Sequence, residues 1–355
     1  MNRSGRFRLL ATTSVALALV AALAGCSRAN EPGPAAAARD QGAAAEVRVG
    51  FFPNVTHAPA LLGARKGFFA NELGSTKLTT QTFNAGPDEV NALLGKSLDV
   101  AFIGSGPAIN AFTKSEGTIQ LVAGAVSGGA QLVVKPDITS PEQLKGKTIA
   151  TPQLGNTQDV ALKKWLSEKG LTGQVTVSAM ENAKSFDAFQ KGEVQGGWLP
   201  EPWSSRLVQD AGASVLLDEK SLWPGGRFPT TVVIVRSEFL QQHPQTVRAL
   251  LKGELAAIDW AAANQAEAKT VVNAALKELA GKALSQPVLD RAFGGIELTP
   301  DPDAAAFPQL AKDSVTAGVV KTAAELKGFA DFRLINELLT ASGKPALDAA
   351  GLDAK

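Results

Sequence analysis

The stretch LDVAFIGSGP, residues 98–107, changes from a strand to the start of a helix within ten residues. The run 98–103 is mostly apolar and contains the β-branched residues that strands favour. Gly104 and Gly106 allow a ligand to approach the main chain, and Pro107 suits the first turn of a helix. A strand that leads directly into a helix in this way is typical of an α/β fold.

The same alternation of short β-branched runs and helical segments continues on both sides of this stretch. It predicts mostly parallel sheets covered by helices. The pattern forms two consecutive clusters, and the second, about 136–227, is compact enough to be an insertion. The late strand at 231–235 would then return to the first cluster, and the sequence after it is mainly helical, most clearly at 250–263 and 266–279.

Three strand-to-helix junctions, at 54–58, 104–106 and 155–158, combine small residues with free main-chain amides. The N-termini of helices carry unpaired N–H groups and a partial positive charge, so junctions that converge can bind a compact anion without a lysine. No Walker or dinucleotide-binding motif follows a strand in this chain. Glycine and proline at such junctions can also serve only to start helices, but their recurrence in both clusters favours an anion site.

The N-terminal segment has the order of a secretion signal: Arg3, Arg6 and Arg8, then an uncharged apolar run at 9–24. It ends in LAGC, residues 23–26, which resembles the lipobox of bacterial lipoproteins. We therefore predict a signal peptide at 1–25, lipid attachment at Cys26 and a flexible tether at 26–46, which is rich in Ala, Gly and Pro. The alternative is an ordinary signal peptide or short membrane anchor that happens to contain a cysteine.

Composition excludes several kinds of chemistry. The chain of 355 residues has a formal net charge of +1, which gives no electrostatic argument for binding nucleic acid. It contains one Cys, two His and no Tyr, so we expect no disulfide, no thiolate catalysis and no Cys-based zinc site. A Ser-His-Asp triad would need His57, but no Gly-x-Ser-x-Gly motif accompanies it. We expect a protein that is not an enzyme and that holds no metal or cofactor.

Six segments stand in a fixed order along the chain: VGFFPNVTHAPA at 49–60, FNAGP at 83–87, DVAFIGSGP at 99–107, DITSPEQLKGK at 137–147, GNTQD at 155–159 and WLPEPW at 198–203. In this order they resemble the solute-binding proteins of ABC importers for aliphatic sulfonates, taurine, nitrate and thiamine-precursor pyrimidines, most of all the aliphatic-sulfonate group. The resemblance covers about 47–251. It implies a two-lobed periplasmic-binding-protein clamp of type II, with mixed, mostly parallel sheets. The expected lobes are 47–135 with 229–345 (lobe I, carrying the C-terminal helices) and 136–228 (lobe II).

The resemblance also implies which residues bind the ligand in the cleft between the lobes. Ser105 and Gly106 would donate from the first lobe, and Asn156 and Thr157 from the second. The other expected positions are the turn residues Ser127 and Gly129, and His57 at the first junction. His57 would add a protonated or neutral N–H donor, unless it only starts a helix.

Alternative roles remain open for the two tryptophans and the glutamate of WLPEPW, and for Arg227. One of Trp198 and Trp203 would line the cleft, because large aromatic residues at such spacing are more often core. Glu201 would repel a plain sulfonate but pair with an amine or aminopyrimidine, unless it is only an acid in the first turn of a helix. Arg227 would either reach the cleft or face water.

We therefore expect an extracytoplasmic lipoprotein that is anchored to the outer face of the bacterial cytoplasmic membrane. As a monomer it would capture a small organosulfur anion and deliver it to the permease of an ABC importer. The alternatives are a binder of nitrate or of a thiamine-precursor pyrimidine, a ligand sensor, and an enzyme built on the same clamp. Thiamine-pyrimidine synthases that resemble this family carry a cysteine-rich iron motif, for which this chain has no cysteines.

Overall fold

A computed structural model describes residues 40–353, all within one compact unit. The predicted signal peptide, Cys26 and most of the predicted tether lie outside the described residues. The end of the predicted tether is not flexible: the Gln41 amide donates to the Gln242 carbonyl at 2.7 Å, Ala44 is buried, and a strand begins at Glu46. Within 40–353, no helix has both the length and the apolar character needed to cross a membrane.

The elements follow one another largely as strand-helix pairs. The strands are β1 (Glu46–Phe51), β2 (Lys77–Thr82), β3 (Val100–Ile103), β4 (Ile119–Gly128), β5 (Ala130–Val134), β6 (Thr148–Thr151), β7 (Thr176–Ala179), β8 (Gly196–Pro200), β9 (Ser214–Asp218), β10 (Pro229–Arg236) and β11 (Ile296–Leu298). The helices are α1 (Ala58–Arg65), α2 (Phe68–Leu73), α3 (Gly86–Leu94), α4 (Ser105–Lys114), α5 (Thr157–Glu168), α6 (Asn182–Lys191), α7 (Trp203–Ala211), α8 (Ser237–Gln242), α9 (Pro244–Ala263), α10 (Gln265–Ala280), α11 (Gln286–Gly294), α12 (Phe307–Thr316) and α13 (Arg333–Ala341).

The first sheet has the strand order β11-β4-β10-β3-β1-β2. β1 pairs in parallel with both β2 and β3, whereas β10 pairs antiparallel with β3 and β4. The strand predicted at 231–235 therefore does return to the first cluster. β10 is almost fully buried, because it lies at the middle of the sheet with helices on both faces.

The second sheet has the order β7-β6-β8-β5-β9, with β6 parallel to β7 and β8, and β5 antiparallel to β8 and β9. Strand β5 thus belongs to the second sheet, although the predicted boundary after residue 135 assigns it to lobe I. The chain changes sheets at Gly128 and Gly129, whose φ angles of 80° and 78° lie in the left-handed region that glycine tolerates. It returns through two short 3₁₀ turns, Glu219–Leu222 and Pro224–Gly226.

The C-terminal helices cover more than the first lobe. α9 packs against α1, α2 and α13, but α11 contacts α7 and α12 contacts α5, and both α5 and α7 flank the second sheet. α11 and α12 therefore bridge the two sheets on two sides of the cleft.

Candidate functional site

The predicted strand-to-helix junctions converge where the two sheets face each other. Parallel strands bring their carboxyl ends to one edge of a sheet, and the residues that follow β1, β3 and β6 meet there. They enclose a small cavity of about 20 Å³ between the sheets, together with residues that follow β2 and β7, the last residue of β8 and one residue of β10. Its lining is Phe52, Asn54, Thr56, His57, Asn84, Gly104, Asn156, Thr157, Gln158, Asn182, Pro200 and Thr230. We call this cavity the cleft site.

Two helix N-termini from different sheets meet at the cleft site. The amide of Gly106, in the first turn of α4, donates a hydrogen bond to Thr157 Oγ1, in the first turn of α5, at 3.3 Å. A Cβ atom on Gly104 would lie 2.6 Å from the same Oγ1. The two helix ends therefore approach so closely that only glycine fits at position 104. Both ends carry a partial positive charge, and the two charges add in their attraction for an anion.

Four buried polar atoms beside the cleft site have no hydrogen-bond partner among residues 40–353. They are His57 Nε2, Ser105 Oγ, Asn156 Oδ1 and Asn182 Oδ1. An unpaired buried polar group costs about 1–3 kcal/mol, so polar atoms in native proteins are rarely left without a partner. Since a carboxamide can rotate to present either its oxygen or its NH₂ group, all four side chains can supply a donor to a bound oxyanion. The arrangement is suited to a ligand with several acceptor oxygens.

The imidazole of His57 is neutral. Burial lowers the pKa of His57 to about 3, with the Phe102 carbonyl acting in the opposite direction. The ring is 2% exposed, its Nδ1 lies 3.2 Å from Thr56 Oγ1, and it contacts the ring of Phe52 at a centroid distance of 4.4 Å. Of the two forms considered from sequence, the neutral N–H donor fits this environment.

Glu201 points away from the cleft site. One carboxylate oxygen accepts from the amide of Ser205 at 3.1 Å and the other from Arg291 Nη1 at 3.2 Å. Arg291, on α11, also donates to Ser205 Oγ at 2.8 Å and to Gln131 Oε1 at 2.5 Å. Burial raises the pKa of Glu201, whereas Ser205, Ser204 and Arg291 oppose that rise. Glu201 thus lies just before α7 rather than in its first turn, and its carboxylate binds the Ser205 amide of α7 and Arg291 of the bridging helix α11.

The two tryptophans of WLPEPW differ. Trp203 Nε1 donates to Asn54 Oδ1 at 3.0 Å and so joins α7 to the first junction beside the cleft site. Trp198 is fully buried in the core of the second sheet, where its Nε1 donates to Glu219 Oε2 at 2.7 Å. Trp198 therefore cannot line the cleft in this arrangement, because its face of β8 packs against Trp165 on α5.

The remaining predicted residues lie outside the lining. Ser127 Oγ contacts both the carbonyl and the amide of Phe228 at 3.1 Å, which fixes the crossing between the sheets. A Cβ atom on Gly129 would lie 2.4 Å from Ile296 Cγ2, so this turn packs against β11. Arg227 donates to Glu297 at 2.7 Å and to Asp303 at 2.9 Å, so it neither reaches the cleft site nor faces water alone.

Sequence reasoning did not single out six polar lining residues: Asn54, Thr56, Asn84, Gln158, Asn182 and Thr230. A signal for two of them was present, because Asn84 follows β2 and Asn182 follows β7 just as the recognised junctions follow their strands. No Asp, Glu, Lys or Arg belongs to the lining in the described part of the chain. Residues 40–353 also contain no group of three or more His, Cys, Asp or Glu placed to hold a metal ion.

The chain is similar to one known protein family and to several known binding proteins. The sequence profile of the NMT1-like family matches residues 40–276. The taurine-binding periplasmic protein of Escherichia coli (strain K12) is 30% identical over 201 residues, which cover 56% of this chain and 61% of that protein. This match therefore spans less than two thirds of that relative. The putative aliphatic sulfonates-binding protein of Bacillus subtilis (strain 168) is 26% identical over 253 residues, 69% of this chain and 72% of that protein.

A solved structure agrees with the fold. The alkanesulfonate-binding protein SsuA from Xanthomonas axonopodis pv. citri, bound to MOPS, aligns with a TM-score of 0.64 at 22% sequence identity, over 78% of this chain and 92% of that one. This likeness confirms the predicted fold class of a two-lobed α/β clamp with mixed sheets. The sheets are not mostly parallel as predicted, because among the strands of residues 40–353 four pairs are parallel and five are antiparallel.

Proposed function

Because the chain belongs to the NMT1-like family, we propose that it is an extracytoplasmic solute-binding protein of an ABC importer, which captures a small organosulfur anion in the cleft site and delivers it to the permease. Relatives named as binding proteins for taurine and aliphatic sulfonates support a solute-binding role. The observation that carries the proposal is the meeting of the α4 and α5 N-termini beside four buried polar atoms without partners in residues 40–353.

The charge of the cleft site favours a monoanion. Its lining has neutral donors and two helix ends but no Asp, Glu, Lys or Arg among the described residues. Helix ends and neutral N–H and O–H groups stabilise a single negative charge without the desolvation cost of a buried guanidinium or ammonium group. A sulfonate, with its charge spread over three oxygens, fits such a donor set.

The position of Glu201 bears on the relative affinities for plain sulfonates and for taurine. An ammonium group on the ligand needs a carboxylate partner once it is removed from water. Glu201 is engaged by Ser205 and Arg291 and does not belong to the cleft lining. We therefore propose that a short alkanesulfonate binds more tightly than taurine, and that an aminopyrimidine binds weakly.

Binding requires movement of the lobes. A cavity of about 20 Å³ holds roughly one water molecule, far less than a sulfonate with its alkyl chain. Direct contacts across the cleft, such as Trp203 with Asn54 and Gln153 with Asp88, hold the present arrangement. The lobes must separate to admit the ligand and then close on it, so donors from both sides contribute to affinity.

Attachment to the membrane is part of the proposal. Lipid at Cys26 and the segment between it and residue 40 would keep the clamp near its permease while leaving the lobes free to move. The periplasmic relative from E. coli supports an extracytoplasmic location. We propose that the protein acts as a monomer and without catalysis.

Nitrate is the second candidate, because the small volume and the neutral donors of the cleft site also suit a planar inorganic oxyanion. Calorimetric titration of the purified full chain with ethanesulfonate, taurine, nitrate and 4-aminopyrimidine separates the candidates. We expect ethanesulfonate to bind most tightly. Tighter nitrate binding would establish the second candidate, and no response to any oxyanion would overturn both. Unchanged ethanesulfonate after prolonged incubation would agree with a protein that does no chemistry on it.

A further inference from the structure

A second and larger cavity lies on the other side of the contact between α4 and α5. It has a volume of about 570 Å³ and shares Gly106 and Thr157 with the surroundings of the cleft site. One wall comes from α5 and from the return crossing at 219–227, and the opposite wall from α12 and the segment before it. This volume falls within the range of small-molecule sites, roughly 300–1,000 Å³. We call it the rear cavity.

The rear cavity has an apolar surface on which an organic group can lie. Trp223 and Leu222 of the return crossing face Val160 of α5 and Leu310 of α12 in its lining. Trp223 is half-buried and stacks on Phe228 with an interplanar angle of 20°, which holds its ring in place. Leu222 is 37% exposed. A rigid aromatic ring beside aliphatic side chains is a common feature of sites for organic ligands.

Carboxylates outnumber cations around this surface. The acidic residues of the lining are Glu219, Asp301, Asp303, Asp313 and Asp348. Its cationic residues are Lys164 and Arg227. Both cations are engaged by other groups, because Lys164 pairs with Glu168 at 3.0 Å and Arg227 pairs with Glu297 and Asp303.

Asp313 is the best placed of these carboxylates. It is 5% exposed, and Oδ1 accepts a hydrogen bond from Gln309 at 2.7 Å. Among residues 40–353, no hydrogen bond or ion pair engages its Oδ2. Glu219, which is 1% exposed, lines the same cavity and accepts a hydrogen bond from Trp198. Burial raises the pKa of Asp313 and, to about 8, that of Glu219, and this rise persists although Gln309 and Lys164 oppose it at Asp313 and Trp198, Trp223 and Lys164 oppose it at Glu219. A further cation bound at Asp313 would stabilise its ionised form.

We propose that the rear cavity is a second ligand site, which takes an organic amine in its cationic form with the ammonium group at Asp313 and the apolar body against Trp223 and Leu222. Its walls belong to α5 of the second lobe and to α12 of the first, so an occupant contacts both sides of the clamp. Such a ligand stabilises the arrangement in which the lobes are together, so its binding is thermodynamically linked to the opening and closing of the cleft site.

Titration of the purified full chain with phenethylamine, followed by tryptophan fluorescence and calorimetry, tests the proposal. The neutral 2-phenylethanol and the anionic 3-phenylpropionate have a similar shape and serve as comparators. We expect saturable binding of the amine, with both comparators at least about tenfold weaker, because a charge-assisted hydrogen bond exceeds a neutral one. No saturable binding of the amine, or equal binding of all three compounds, would overturn the proposal.

Asp313→Asn keeps the size of the side chain and the acceptor for Gln309 while removing the charge. We expect it to weaken phenethylamine binding at least about tenfold and to leave ethanesulfonate titration of the cleft site intact, which also shows that the variant is folded. Asp290→Asn, on α11 and outside the rear cavity, is the matched control and should bind as wild type. Unchanged amine binding in Asp313→Asn would refute the site. Failure of ethanesulfonate binding in wild type with normal amine binding would count against the proposed transport function alone.

Discussion

Replacing Arg291 by Met tests the bridge between α11 and α7. The change removes a guanidinium group that donates to Glu201 at 3.2 Å, Ser205 at 2.8 Å and Gln131 at 2.5 Å, but keeps an unbranched side chain. Glu201 is 1% exposed, so the change leaves a buried carboxylate without its cation. Breaking a buried ion pair costs about 3–5 kcal/mol. Arg291 itself is 21% exposed, so water can replace part of its interaction with Glu201. We therefore expect the free energy of unfolding to fall by about 3 kcal/mol, the lower end of that range.

The loss should depend on pH with a defined sign. Burial already raises the pKa of Glu201, and removal of Arg291 raises it further, because the cation favours the ionised form. A carboxyl group whose folded pKa is raised contributes its full stability below the unfolded pKa and loses it as the pH rises through the folded pKa. Arg291→Met should therefore be destabilised more at about pH 8 than at about pH 5.

Urea denaturation at both pH values measures these free energies of unfolding. The double variant Glu201→Gln/Arg291→Met provides the control, since removal of both charges leaves no buried carboxylate and should recover at least about 1 kcal/mol relative to Arg291→Met. An Arg291→Met protein within about 0.5 kcal/mol of wild type, or one with the same loss at both pH values, would refute the role of this ion pair.

Three further predictions concern the cleft site and the N-terminal segment. Gly104→Ala places a Cβ atom 2.6 Å from Thr157 Oγ1, so it should hinder closure and weaken ethanesulfonate binding about tenfold by calorimetry, and an unchanged affinity would contradict the close approach of the helix ends. The pKa of His57 is about 3 against an ordinary 6.5, so below about pH 6.5 the unfolded chain takes up a proton that the folded chain does not. Between about pH 6.5 and 5, wild type should thus lose about 2 kcal/mol more stability in urea than His57→Gln, and parallel pH profiles would show that His57 is not buried as described. Cys26→Ser should move the protein from the membrane fraction to the soluble fraction of cells that express it, and retention in the membrane would exclude lipid attachment at Cys26 as the anchor.

The sequence predicts the fold class and the core of the cleft site for a common reason. Strand and helix periodicity is local, and the ends of parallel strands necessarily meet at one edge of a sheet. This rule places the Gly104 junction at an edge of the first sheet and the Thr157 junction at an edge of the second. That the two edges face each other across a cleft was implied by the family resemblance. The same rule extends to Asn84 and Asn182, which follow edge strands. Asn84 stands two residues before the Gly86-Pro87 helix start but was not assigned a role, and no glycine-proline pair marks the helix that begins at Asn182.

Features that depend on long-range contacts could not be predicted. Arg291 is 90 residues from Glu201, and nothing in the local sequence around either residue indicates their pairing. A two-glycine turn between β4 and β5 usually joins a hairpin, but here it carries the chain from one sheet to the other. Trp198 illustrates a third case, because a short strand that begins with two glycines does not reveal which of its faces packs on a helix.

The central claim is that helix ends and neutral donors from both lobes hold a small monoanion in the cleft site. Asn156→Asp tests it most directly, because Asn156 is 5% exposed and the change places a carboxylate among the lining donors. Two like charges about 4 Å apart repel by about 4 kcal/mol at the effective dielectric constant of such sites.

The measurement is calorimetric titration of wild type and Asn156→Asp with ethanesulfonate, with Asn71→Asp on the exposed face of α2 as the control for an added charge. We predict saturable binding by wild type and by Asn71→Asp, and an affinity at least about 100-fold weaker in Asn156→Asp. Equal affinity of Asn156→Asp and wild type would contradict an anion site at the meeting of α4 and α5.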